Sequence, residues 1–139
     1  MTIQGQRGAA PGPSTKSVGD QAEQLALDHL RQHGLRLLQR NFRTPGRGGG
    51  EVDLIMRDTD GTVVFVEVRY RRASTHGGAG GSIGWAKQRR IVFAARHYLA
   101  RCADTPACRF DAVLVQGPAT PHGSMEVSWV QAAFDTSGW

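Results

Sequence analysis

Two acids, Asp53 and Glu67, stand with thirteen residues between them, and a cation, Arg69, follows two positions after the second. The chain holds only four glutamates, Glu23, Glu51, Glu67 and Glu126, so an acid inside an apolar segment is a marked choice. Glu67 lies in "VVFVEVRYR", where Val64, Val66 and Val68 alternate with Phe65, Glu67 and Arg69. Side chains two apart on a strand point the same way, so an acid and a guanidinium share a face with Phe65. Burying them is unfavourable unless something offsets the lost hydration. "EVDLIMRD" precedes, with Glu51 and Asp53 expected on one of its faces. If the two segments pair through the intervening "TDG", Asp53 approaches Glu67 across the ladder. Two carboxylates that close repel unless a cation lies between them. A hard divalent ion, Mg²⁺ or Mn²⁺, accepts such an oxygen set, and Glu23 can close it from the side. The plainer alternative is that Asp53 caps a strand end and Glu67 pairs with an arginine.

The elements that must position these residues follow from periodicity. From Gly19, "GDQAEQLALDHLRQHG" carries Ala22, Leu25, Ala26 and Leu30 at helical spacing, with Gly34 as its natural stop. "LRLLQRNFR" reads as a partly exposed strand, "TPGRGGG" as a flexible turn, and "EVDLIMRD" and "TVVFVEVRYR" as a hairpin about Thr59–Gly61. The glycine-rich "ASTHGGAGG" has no phosphate-binding pattern. "SIGWAKQRRIVFAARHYLARC" predicts a long second helix, "CRFDAVLVQG" an internal strand and "MEVSWV" a short fifth one, with helix or coil from Gln131. The expected fold is α/β, a three-layer sandwich with a mixed sheet of about five strands in the order αβββαββ. Residues 1–17 read as a disordered leader, 18–135 as a single domain and 136–139 as a tail.

Composition bounds the function. The 139 residues are 40% apolar with no run long enough for a bilayer, so a soluble cytoplasmic protein without a membrane partner is expected. Cys102 and Cys108 are too few for a disulfide framework; reduced thiols are expected, with a single bridge as the alternative. Of 17 basic residues, 15 are arginine, and nine fall between Arg69 and Arg109. That local basic surface suits a nucleic acid, and ordinary solvated helix faces are the competing explanation.

The blocks "GDQAEQLALDHL", "RNFR", "GEVDLI", "VFVEV", "KQRRI" with "AARHYL", and "CRFDAVLV" resemble, in order, those of the YraN family of small bacterial proteins. That family is similar to archaeal Holliday-junction resolvases and to PD-(D/E)xK nucleases of restriction-endonuclease-like fold. The resemblance implies a metal-dependent nuclease on DNA more than RNA, with branched or structured forms among its substrates and a homodimer as one arrangement. Asp53 and Glu67 then match the metal-binding acids, Val68 lends its backbone carbonyl, and Glu23 matches a helix acid of the resolvase-like branch.

Arg69 departs from the pattern, which has lysine there. Arginine stabilises charge but does not serve as a base. Lys87, at the start of the second helix, could reach across and supply the missing ammonium; a solvated helix position is its other reading. Arg71, Arg72, Arg89, Arg90 and Arg96 would hold the phosphate backbone, with Gln88 as a weaker contact. Two other classes stay open. One is a nucleic-acid-binding module of the same fold that has lost turnover with the lysine. The other is a protein-interaction adaptor using a sheet edge.

Overall fold

Ala22, Ala26, Leu27 and Leu30 recur at helical spacing and are all buried, so one stripe of the first helix faces a sheet. The structure is a computed structural model, describing residues 15–72 and 82–137. The first helix, α1, runs Thr15–Gln32 and ends at Gly34, whose φ of 90° is the left-handed stop that glycine adopts without penalty. It is followed by β1 (Arg36–Arg43), β2 (Glu51–Arg57), β3 (Val63–Arg71), α2 (Trp85–Ala100), β4 (Cys108–Gln116) and β5 (Glu126–Phe134). The expected order αβββαββ is observed.

The strands lie side by side in sequence order, β1-β2-β3-β4-β5. Every neighbouring pair is antiparallel except β3 and β4, which are parallel and joined through α2, as a parallel pair requires a crossover. Phe65 and Val63 of β3 join Ile91, Val92, Ala94 and Ala95 of α2 in one core. Val64 and Val66 join Ala22, Ala26, Leu27 and Leu30 of α1 in the other. Both faces of the sheet are therefore covered, giving three layers with β3 and β4 internal. Packing is tightest where β2 begins. A Cβ on Gly50 would lie 2.4 Å from the Arg90 carbonyl and 2.5 Å from the Ala94 nitrogen, so only glycine lets α2 seat there.

Three boundaries differ from expectation. The α1 helix starts at Thr15, inside the segment read as leader, and α2 starts at Trp85 rather than Ser82. The fifth strand extends to Phe134, where helix or coil was expected from Gln131. Its register with β4 shifts between Phe110 and Ala112, and Ala132 takes a φ of 51°. That bulge breaks the period-two pattern by which a strand is recognised. Beyond it, Phe134 stacks on Phe110 at 4.8 Å between ring centroids. "ASTHGGAGG" lies outside the described residues, as do 1–14 and 138–139. Cys102 and Cys108 are free thiols, and among the described residues no helix is long and apolar enough to cross a membrane.

Candidate active site

The β2–β3 ladder runs from Arg57↔Val63 to Leu54↔Val66 and stops. The next residue on β2 is Asp53, and the next on β3 is Glu67. Where the strands part, Asp53 Oδ2 accepts the backbone N–H of Val68 at 2.8 Å. Glu67 continues the Phe65 side toward α2 and is only 8% exposed. Its Oε1 accepts a hydrogen bond from no described residue. Burial, and then the Asp53 charge, push its carboxyl up to about 8, against the pull of Lys87 and Arg69. A buried acid so placed has an oxygen that no described hydrogen-bond donor fills.

The nearest cation is Lys87, in the first turn of α2. Its Nζ stands 3.7 Å from Glu67 Oε1, an ion pair without a hydrogen bond, and 2.7 Å from Glu51 Oε2. Burial alone would lower the ammonium pKa. The Glu51 hydrogen bond and the charges of Glu67, Glu51 and Asp53 outweigh it and hold Lys87 above the usual lysine range. Lys87 is thus a fixed cation on the β3 face.

Glu51 is the participant that sequence reasoning left out. It gathers Lys87, Arg90 at 2.7 Å and Arg43 at 3.9 Å, and the Lys87 hydrogen bond is the largest influence holding its carboxyl below the usual range. The expectation that Glu51 and Asp53 share a face does not hold. Val52 and Ile55 both enter the core under α2, whereas Leu54 and Met56 enter the one under α1. Strict alternation slips between Val52 and Leu54, opposite Asn41 with its φ of 51°. Glu51 ion-pairs with Lys87 and Arg90 of α2, whereas Asp53 lines the cleft beside Glu23 of α1. The legible signal was its position, an acid beside the glycine of a strand start in a chain with a "KQRR" helix opening.

Glu23 projects from α1 into that cleft of about 290 Å³, lined also by Asp53, Lys16, Asp20, Val68 and Tyr70. Arg40 approaches it at 3.3 Å and Asn41 at 3.5 Å. Burial raises its carboxyl and the Asp53 charge adds to this, with Arg40 opposing. Among the described residues no three His, Cys, Asp or Glu side chains gather closely enough to hold a metal ion together. The acids form a chain through Asp53, Glu23 on one side and Glu67 on the other.

The remaining residues divide. Arg69 points its guanidinium at the Ser82 carbonyl. Gln88 donates to the Ile83 carbonyl at 2.7 Å, so its amide serves the start of α2. Arg89 and Arg96 are exposed, Arg90 is half-exposed but held by Glu51, and Arg71 ends β3 with Arg72 just beyond it.

Residues 22–115, from α1 through β4, match the family described as "Uncharacterised protein family UPF0102". The chain belongs to the UPF0102 family. This is the YraN family of the sequence reading. A UPF0102 protein of Paracidovorax citrulli is 63% identical over 131 residues, covering 94% of this chain and 92% of its own. Those of an Acidovorax species and of Albidiferax ferrireducens are 58% and 59% identical, over 94% and 88% of this chain and 93% and 90% of theirs. The family match spans Glu23, Glu51, Asp53, Glu67, Arg69 and Lys87 and leaves out β5.

Proposed function

We propose that this chain is a metal-dependent phosphodiesterase acting on nucleic acid, DNA before RNA. The observation that carries the reading is Glu67 Oε1, a buried carboxyl oxygen without a hydrogen-bond donor among the described residues, beside Asp53 where two core strands part. The donor set suits a hard divalent ion: two carboxylates and the adjoining Val68 carbonyl offer oxygen only, leaving coordination positions for waters and phosphate. Glu23, already engaged by Arg40, stands as an outer neighbour of that set. The chemistry supplied by a bound Mg²⁺ or Mn²⁺ is a lowered water pKa and neutralised phosphate charge.

The protein's own contribution is positional and electrostatic. Val68 fixes Asp53 through its N–H, so the carboxylate does not swing away. Lys87, protonated and anchored by Glu51, presents a cation beside Glu67 toward charge that develops on a phosphoryl group. In this reading Lys87 takes over the role of the lysine that the nuclease pattern carries two residues after the second acid. Arg69 adds positive charge on the same face, and the arginines of α2 hold the backbone without reading sequence.

A second reading, a binding module without turnover, draws on one observation. Arg69 is taken up by Ser82 and Lys87 by Glu51, so both cations near the acids already have partners. Cleavage assays on linear, flapped and four-way-junction DNA with Mn²⁺ separate the two. Cleavage by the wild type and none by Asp53→Ala supports the nuclease. Salt-sensitive binding with no cleavage of any form leaves the binding module in its place.

A further inference from the structure

Two of the three large apolar side chains exposed among the described residues, Trp85 at 59% and Phe93 at 44%, lie on α2. They are eight positions apart, so they sit on one face, and Arg89 falls midway between them. His97 continues the series four residues on, with its ring 4.6 Å from that of Phe93. The outward face of α2 therefore reads aromatic, cation, aromatic, imidazole at every fourth position. Single exposed aromatics are ordinary on protein surfaces, but the middle of this series, Arg89 and Phe93, lines a groove. That groove has a volume of about 770 Å³ and is lined by Phe93, Arg89, Arg90 and Arg96 of α2 and by Arg43 and the glycine turn that follows it before β2. Its acid, Glu51, is neutralised by Lys87 and Arg90.

We infer that this face of α2 is a stacking platform for an unpaired nucleic-acid strand, with bases on Trp85 and Phe93 and phosphates on Arg89, Arg96 and Arg43. The inference rests on the proposal above only in taking nucleic acid as the ligand, and it names the form of that ligand. Charge complementarity selects a polyanion, and the interleaved rings select one whose bases are unstacked. A duplex offers its phosphates to the arginines but keeps its bases away from the rings. The platform also leads toward the acids. Glu51 lines the groove and holds Lys87, and Lys87 lies six residues before Phe93, about 9 Å along the helix axis. A strand leaving a junction or flap through the groove would thus run toward Asp53 and Glu67.

The test is fluorescence anisotropy of the full chain with labelled oligothymidylate, oligouridylate and a duplex of the same length, at one fixed salt concentration. The wild type is expected to bind the single strands more tightly than the duplex. Phe93→Ala and Trp85→Ala should each weaken single-strand binding about tenfold while changing duplex binding less than about twofold. Phe93→Trp should retain affinity, whereas Phe93→Leu, apolar but without a π face, should behave like alanine. The two single-stranded arms decide between DNA and RNA as the source. Leucine equal to wild type, or equal losses on single strands and duplex, would overturn the platform while leaving nucleic-acid binding intact. So would a Phe93→Ala variant that dissociates a dimer in sedimentation without changing single-strand affinity. A wild type that binds none of the three probes removes the underlying nucleic-acid reading itself. Both rings are exposed, and thermal melts of each variant verify the fold.

Discussion

Glu67 on β3 and Asp111 on β4 are two nearly sealed acids, 8% and 1% exposed, on adjacent strands of one sheet. Their surroundings are opposite. Asp111 Oδ1 accepts from Arg109 Nε at 3.1 Å and from the Ala132 N–H at 2.9 Å, and its Oδ2 accepts from Trp129 Nε1 at 3.0 Å. Arg109 then reaches Asp58 at 2.9 Å, tying the start of β4 to the β2–β3 turn. Among the described residues Glu67 Oε1 has no donor, and its nearest cation is shared with Glu51. Burial alone does not mark a functional acid. An acid whose oxygens are filled from within holds the scaffold together, and one left open is built for something from outside.

The contrast predicts opposite stability effects. Asp111→Ala strips β5 of two anchors and leaves Arg109 with only Asp58, so a loss of about 3–5 kcal/mol is expected. Glu67→Gln should be neutral or stabilising, because it removes a charge that burial and Asp53 both disfavour. Urea titrations of both variants measure the difference. Equal destabilisation would erase the distinction between the two acids.

The same difference should appear as pH dependence. With its folded pKa near 8, above the ordinary 4.5, Glu67 keeps in the native chain a proton that the unfolded chain has released. Between those values the native state binds more protons, so stability falls as pH rises, by an amount on the order of 3 kcal/mol. Below 4.5 both states hold the proton, and the penalty vanishes. Melts in chelator from pH 4 to 9 should therefore show Glu67→Gln gaining on wild type as pH rises. Mn²⁺ should narrow that gap by stabilising only the wild type. A constant offset between the two curves would place the Glu67 proton elsewhere.

How much of this was legible beforehand depended on whether the signal was local. Val64, Val66 and Phe65 announced an internal strand by alternation, and Asp53 with Glu67 announced a meeting of acids. What alternation could not show was its own failure. The slip between Val52 and Leu54 and the bulge at Ala132 within β5 are features of backbone geometry that residue periodicity does not carry. Asp111 passed unnoticed inside "CRFDAVLV" because its partners, Trp129 and Ala132, lie more than fifteen residues away. Lys87 was nameable only as a lysine that could reach, since the reach is fixed by Gly50 seating α2 on β2.

Under the proposed nuclease reading, that seating reorders the cations. Lys87→Ala should lower single-turnover cleavage at saturating DNA by ~10²-fold, the effect of losing one preorganised donor to a phosphoryl transition state. Arg69→Ala should mainly weaken binding, because Ser82 already holds its guanidinium, and a pure binding defect leaves the saturated rate intact. Arg69→Lys should leave cleavage unchanged or raise it. The reverse ranking, with Arg69→Ala the slower enzyme, would return the motif position to its usual role and make Lys87 a structural partner of Glu51.

The smallest expected effect carries the open-versus-filled distinction to the basic side. If about four phosphates are neutralised, log affinity for duplex DNA should fall against log salt with a slope of about −3.6. Arg89 is exposed and should contribute a full contact, so Arg89→Ala should shallow the slope by about 0.9. Arg90 is held at 2.7 Å by Glu51, as Arg109 is held by Asp111, and its charge is largely spent within the protein. Arg90→Ala should therefore shallow the slope by clearly less, and the double variant by less than two contacts' worth. Anisotropy titrations across a salt series resolve steps of this size. Equal steps for the two arginines would mean that DNA draws Arg90 away from Glu51, and Glu51 would then belong with Glu67 among the open acids rather than with Asp111.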